Sequence, residues 1–370
     1  MATPSGRALI RSTYRVSETP RVHVGPYAGA GAEWDGFLRS TARTGTTHTH
    51  CHLYGWKRIM QSAMGHDAPY IAARDASGAL RGVLPLVRIR SRLFGHYLIS
   101  MPFLNYGGPV GDSEAITALA RYAATMADDC GATLLEMRCR GEIPSGRQFA
   151  ISHRKITVLM DMSGGSEALW RRLPSKVRSQ IRRPAKDGVI VQFGSDQVAP
   201  FYSVFARHMR DLGTPVMSRR FFELAAQEFG ENALFAVAYR GATPVACGAG
   251  FACGEGAERE FEIVWASALR EYSRTSANML IYWEVMKRAS DAGARTFNFG
   301  RCTPGGNTHR FKKQWGTTDA PLWWYDHAPR GVSPPSEHSE AARLGARLWT
   351  HMPLPAANAL GPRIVRLLPL

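Results

Sequence analysis

The chain of 370 residues has no run of about 18 apolar residues, so nothing in it reads as a membrane-spanning helix. Arg7, Arg11, Arg15 and Arg21 are not followed by the apolar stretch that a secretory signal needs. Residues 1–27 therefore read as a flexible tail. Cysteine is sparse and unclustered: Cys51, Cys130, Cys139, Cys247, Cys253 and Cys302 form no CxxC pair, which fits reduced thiols in a cytoplasmic protein. Cys302 has no neighbouring base in sequence and reads as a bystander rather than a nucleophile. Acid is the scarce charge, 30 Asp and Glu against 46 Lys and Arg, a formal charge of +16. That excess suits RNA, phosphorylated substrates or an anionic membrane face, and it equally suits plain solubility. The pairs Arg171-Arg172, Arg182-Arg183 and Arg219-Arg220 mark local basic patches.

The sequence does contain apolar residues enough for two cores, at 45%, and a length that suggests two domains. The same order of elements occurs twice. In the first half, Pro69–Asp75 and Leu80–Arg90 predict a hairpin about Ala76-Ser77-Gly78, followed by a strand at Tyr97–Met101, a helix over Ser113–Asp129 and a strand at Leu134–Cys139. In the second, Leu234–Arg240 and Pro244–Cys253 flank Gly241-Ala242-Thr243, followed by a strand at Arg259–Ala266, a helix over Ser276–Asp291 and a strand at Thr296–Phe299. Hairpin, strand, helix, strand resembles the central unit of the GNAT (acetyltransferase-like) fold. The expected fold class is α/β (α+β), with two tandem GNAT-like domains at 28–160 and 161–330. A basic helix over Ser175–Asp187 carries Arg178 and Arg182, and Pro184 predicts a kink or early end. It is either a solvated face or a phosphate-facing patch over a cleft between the halves.

Four segments are candidates for chemistry. His48, His50 and His52 alternate, but no acid and no second Cys/His cluster lies near them in sequence, so a loop is favoured and no metal is expected. Met101–Gly111 carries Asn105-Tyr106-Gly107-Gly108-Pro109 ahead of the first-half helix. Consecutive glycines before a helix suit an anion, with Asn105 and Tyr106 facing the bound group. The counterpart Arg270–Asn278 contains no glycine, whereas a CoA-binding GNAT loop has the form R/Q-x-x-G-x-G/A. The ordinary acetyl-CoA mode is therefore not expected there. The richest segment is Phe297–Gly316, where a strand runs into a Gly/Pro-rich loop that delivers Arg310, Lys312 and Lys313 among Phe311 and Trp315. Cations behind an aromatic wall suit a developing oxyanion.

At Phe297-Asn298-Phe299-Gly300-Arg301 and Phe311-Lys312-Lys313-Gln314-Trp315-Gly316 the chain resembles the FemAB family of tandem-GNAT acyl- and aminoacyltransferases. Ser100–Pro109, Met209-Arg210-Asp211-Leu212-Gly213-Thr214-Pro215, Arg178–Arg183 and Tyr282-Trp283 are similar to the subgroup associated with exosortase/PEP-CTERM exopolysaccharide loci. The resemblance covers roughly residues 48–330. It implies transfer of an acyl or aminoacyl group to an amine of a cell-envelope or exopolysaccharide precursor. No cofactor is bound tightly, and the donor is aminoacyl-tRNA or acyl-CoA, so tRNA is a candidate partner. Lys312 would stabilise charge at the reacting carbonyl, with Phe311 beside it. Asn105, Tyr106, Gly107, Gly108, Arg178, Arg182, Asp211, Asn278, Arg301, Arg310 and Trp315 would hold substrate. The resemblance also sends the last strand, Leu322–Asp326, back to the first half. No heptad stretch stands where peptidoglycan-acting members carry a tRNA-binding arm, so donor and acceptor are expected to differ from theirs. A second class of reading is a non-catalytic protein that binds polysaccharide precursors or RNA through the same cleft.

Residues 331–370 form a linker and a basic tail. Ala341–His351 predicts a short helix with Leu344 and Leu348 four apart, and no acid follows Glu340. Such an end lies on an anionic inner membrane or packs back on the protein.

Overall fold

The computed structural model describes residues 22–42, 48–92, 94–144, 146–329, 331 and 340–369. Residues 1–21 of the expected tail lie outside the described residues, whereas β1 (His23–Pro26) is a paired strand. After β1 come α1 (Gly31–Ala42) and α2 (Gly55–Met64), then β2 (Ile71–Arg74) and β3 (Leu80–Leu84). The single strand expected over Leu80–Arg90 breaks at Pro85, which cannot donate to a ladder. The chain restarts as β4 (Val87–Ser91), in a different sheet. β4 pairs with β5 (Gly95–Ile99), and the short β6 (Val110–Gly111) completes a sheet in the order β1-β2-β3-β6. The crossover helix α3 (Ser113–Asp129) buries Leu119, Ala120, Ala123 and Ala127 along one face, and the small side chains allow close packing on the strands. It leads to β7 (Leu134–Cys139), parallel to β5, and then to β8 (Ala150–Ser152).

The second half runs through β9 (Ile156–Asp161), α4 (Gly165–Arg172), α5 (Ser175–Lys186), β10 (Val189–Phe193), α6 (Val198–Asp211) and α7 (Arg219–Phe229). The hairpin β11 (Ala233–Arg240) and β12 (Thr243–Cys253) follows, then β13 (Glu260–Ala268), the crossover helix α8 (Ala277–Asp291) and β14 (Thr296–Cys302). The chain continues through α9 (Asn307–Lys313), β15 (Thr318–Pro321) and β16 (Trp323–His327). Helix α5 continues past Pro184 for two residues and ends at Lys186. The proline sits in its last turn with its ring buried, where a single backbone bond is lost.

The two halves exchange strands. The first has the order β4-β5-β7-β16-β8 and the second β10-β11-β12-β13-β14-β9-β15. In each, a parallel pair bridged by a helix is followed by an antiparallel strand from across the molecule, then by an edge strand. The return of the last strand to the first half, which the resemblance implies, is observed, whereas a cut at residue 160 misplaces β9. β9 belongs to the second sheet, and β16 belongs to the first.

A shared aromatic core also joins the halves. Trp56 of α2 lies 4.8 Å from Phe229 and 5.1 Å from Phe251, ring centre to ring centre. The tail folds back as α10 (Glu340–Thr350) and α11 (Leu354–Val365), both against α6. Trp349 and Val365 are buried, and Arg210 donates to the Met352 carbonyl at 2.8 Å. Among the described residues no helix is long and apolar enough to cross a membrane.

Candidate active site

The parallel pairing of β13 with β14 covers only Glu260–Glu262 against Thr296–Asn298, and beyond it the two strands diverge. β14 bulges at Gly300, whose φ of 73° is open to glycine and whose Cβ would meet the Asn105 amide at 2.9 Å. At this point a cavity of about 230 Å³ opens between the halves. His48, His50 and Arg140 line it from one side, with Phe251, Cys253, Glu260 and Glu262 opposite.

His50 is held from several directions. The segment His50–His52 is a 3₁₀ turn capped by Thr49, not a strand face of three histidines. The indoles of Trp56 and Trp34 donate to the carbonyls of His50 and His52 at 2.9 and 2.8 Å. The His50 ring stacks on Phe251 at 5.0 Å, and its Nε2 meets the Glu262 carboxylate at 2.9 Å. Both side chains are buried. Burial alone would depress the imidazole pKa. The adjoining Cys51 thiol and Glu262 carboxylate outweigh burial and raise it, which favours an imidazolium. Its Nδ1 is buried and has no partner among the described residues. His52 behaves oppositely: burial, with the neighbouring His48 charge, lowers its pKa to about 3, and its Nε2 bonds the Gly108 carbonyl.

His50 Nε2, Cys51 Sγ and a Glu262 carboxylate oxygen lie within 4.8 Å of one another. This donor set suits a zinc-class cation. The acid that the histidine segment lacks in its own sequence neighbourhood arrives from β13.

A second polar chain runs beside the first. Arg140 pairs with both Glu260 oxygens at 2.9 Å, and Glu260 accepts from Asn298 at 2.9 Å. Asn298 in turn accepts from Thr157 and from the Gly300 amide, each at 2.8 Å. Tyr106 bonds Thr157 and Asn298, and Asn105 donates to Glu262. Asn105 and Tyr106 are thus brought to the site, but they fasten the loop to the second half and do not face a vacant anion site.

Gly107 and Gly108 correct the anion-cradle expectation. Both amides donate to the Arg138 carbonyl, at 3.1 and 3.0 Å, and a Cβ on Gly108 would sit 2.4 Å from Cys139 Sγ. These glycines permit close packing. The end of α3 is already capped by the Asp112 carboxylate, which accepts from the Ala115 amide at 3.0 Å.

Lys312 lies on α9, in a helix where a loop was expected, and is only 3% exposed. Its Nζ donates to the carbonyls of Gly300 and Arg301 at 2.7 and 3.0 Å, so it staples the bulge of β14. Burial, aided by the nearby Arg301 charge, lowers its pKa to about 8 against the opposing pull of Cys302 and Glu262. Phe311 and Trp315 pack around Tyr282, with Phe311 5.0 Å and Trp315 6.1 Å from its ring centre.

The remaining expected residues lie elsewhere. Arg178 donates to the Arg171 carbonyl, Arg182 rests over Trp170, and Arg301 rests over Trp324. Arg310 is exposed beside Asn307. Asp211 pairs with Arg210 at the end of α6, and Asn278 sits in the first turn of α8. None of these lines the cavity. Sequence reasoning missed His50, Arg140, Glu260 and Glu262 as a group. A readable signal existed in Glu260-Phe261-Glu262-Ile263, where acids alternate with apolar residues in a core strand.

Residues 171–313 match the family described as an acetyltransferase (GNAT) domain. No curated protein matches the chain in sequence. The fold is similar to the crystal structure of FemX, at 14% identity and a TM-score of 0.61, over 82% of this chain and 97% of that one. It is also similar to a tandem GNAT protein from the clavulanic acid biosynthesis pathway, at 13% identity and a TM-score of 0.56, over 84% and 100%. A third likeness is the C-terminal domain of a putative lysylphosphatidylglycerol synthetase from Agrobacterium fabrum, at 13% and 0.54, over 86% and 96%. The chain therefore has a tandem GNAT-like fold, with the acetyltransferase (GNAT) domain match in its second half.

Proposed function

We propose that the protein is an N-acyltransferase that transfers an acyl or aminoacyl group to an amine of a cell-envelope or exopolysaccharide precursor. The observation that carries this reading is the buried His50–Glu262 pair on the wall of an inter-half cavity, where β13 and β14 part. Three carboxylates, Glu258, Glu260 and Glu262, line that cavity with one guanidinium, Arg140. This wall suits a cationic amine better than a phosphate. The amine attacks the acyl carbonyl in its neutral form, so its proton must leave. The C–N bond forms, the carbonyl oxygen gains negative charge, and the donor's oxygen or sulfur departs with a proton. The imidazolium Nδ1–H of His50 is an unspent buried donor for that oxygen, and Glu262 keeps it charged. Lys312 holds the bulge and adds positive potential beside it.

Donor and acceptor are tested together. Aminoacyl-tRNA and acyl-CoA are each offered with amino sugars and peptide amines, and amide formation is followed by mass spectrometry. Transfer from one donor, lost in His50→Gln with the fold intact, is expected. A folded protein that binds donor or precursor without turnover would replace this reading with the non-catalytic one.

A further inference from the structure

Six large apolar side chains are exposed among the described residues, and four of them lie in one corner: Leu212 at 49%, Leu344 at 59%, Leu348 at 66% and Leu360 at 40%. Helix α10 explains the arrangement. Its small Ala346 and its Trp349 face the protein, Ala346 lying against Gly213, so the helix seats closely on the end of α6. Leu344 and Leu348, one turn apart, occupy the opposite face and form an outward ridge. Arg343 and Arg347 flank that ridge and are exposed. Leu212 precedes the glycine on which α10 rests and extends the apolar surface onto α6. Basic residues are in excess: Glu340 opens α10 one turn before Leu344, and beyond it the sequence has Arg343, Arg347, Arg363 and Arg366 and no acid. Asp211, the nearest carboxylate on α6, is already paired with Arg210.

Leu344 and Leu348 point outward and gain nothing from the packing that holds their helix. We propose that this corner is a docking plate for an anionic lipid surface, with Leu344, Leu348 and Leu212 entering the interface and Arg343 and Arg347 meeting headgroups. The plate is fixed to the body through Trp349 and Arg210, so binding orients the whole molecule on the membrane. Charge complementarity selects this occupant: a ridge of leucine flanked by Arg343 and Arg347, with the one carboxylate of the helix, Glu340, at its N-terminal end, matches acyl chains under anionic headgroups.

The test is flotation of the full chain with phosphatidylcholine vesicles, with and without phosphatidylglycerol. Binding to the anionic vesicles, weakened by salt, is expected. Leu344→Ser with Leu348→Ser should weaken it at least tenfold, and Arg343→Gln or Arg347→Gln about fivefold each, the worth of one basic residue near such a surface. Thermal melts of these surface variants should match the parent. Equal binding to both vesicle types, no binding, or unchanged binding by the leucine double variant would overturn the proposal. So would light scattering that shows a dimer dissolved by the leucine changes, which would make the ridge an interface between two copies.

Discussion

Lys312→Met removes one buried positive charge and keeps most of the stem. Nζ makes two charge-assisted hydrogen bonds, at 2.7 and 3.0 Å, each worth about 1.5–3 kcal/mol. Against them stands the burial that lowers the pKa from 10.5 to about 8, which corresponds to about 3 kcal/mol of destabilised charge. These terms nearly cancel, so Lys312→Met should cost at most about 3 kcal/mol in urea unfolding. Lys312→Ala adds a cavity and should cost about 2 kcal/mol more. Turnover behaves differently, because charge on the reacting carbonyl develops only in the transition state. Through the positive potential it adds beside His50, both variants should lose about tenfold in kcat, with a smaller change in KM. The pH dependence follows with definite sign. The folded pKa lies below the unfolded one, so the unfolded chain holds the proton longer, and this group's contribution to stability rises between about pH 8 and 10.5. Turnover should fall as the ammonium deprotonates through pH 8, and that limb should vanish in Lys312→Met. Unchanged kcat in Lys312→Met, or a parent profile flat through pH 8, would remove the ammonium from the reaction and leave it a structural staple.

Glu262→Gln should return the His50 pKa toward its ordinary 6.5. Turnover should then fall as pH rises through that range and drop at least tenfold at neutral pH, as a pH–rate profile would record. Gly108→Ala should lower the melting temperature and leave KM nearly unchanged, because its Cβ meets Cys139 and not a ligand; a raised KM with unchanged stability would restore the anion-cradle reading. Acetyl-CoA should bind weakly or not at all at micromolar levels by calorimetry. The segment Arg270–Thr275 is a 3₁₀ turn capped at its end by Ser276, which, though not glycine, takes φ 62°. Tight stoichiometric binding would make acyl-CoA the donor.

The repeat of hairpin, strand, helix and strand was legible because each piece is local. Periodicity and turn residues locate α3 and β7 with the bounds observed, and β11 and α8 within a residue. Three things were not legible, for physical reasons. The placement of β9 in the second sheet depends on which sheet edge is free when it arrives, and its composition does not carry that, whereas the return of β16 was implied by the family resemblance. The His50–Glu262 pair joins residues 212 apart, so a histidine segment without acids around it gave no sign of its partner. The glycines at 107 and 108 have the look of an anion loop, yet the space they leave is taken by Met101 and Cys139 respectively. The tail helix was readable, but which of its faces turns outward is decided by the contact of Ala346 with Gly213, far away in sequence.

The exchanged strands set a timetable for folding during synthesis. Among the described residues β8 pairs only with β16, so the edge of the first sheet cannot close until residue 327 has left the ribosome. At ordinary elongation rates this is a wait of roughly ten to thirty seconds after β8 emerges. During that interval β7 presents an unpaired edge, and the nascent first half is a candidate client for chaperones. A release of the chain before Trp323 would leave that edge permanently open, so truncated products of this gene should aggregate where slightly longer ones fold.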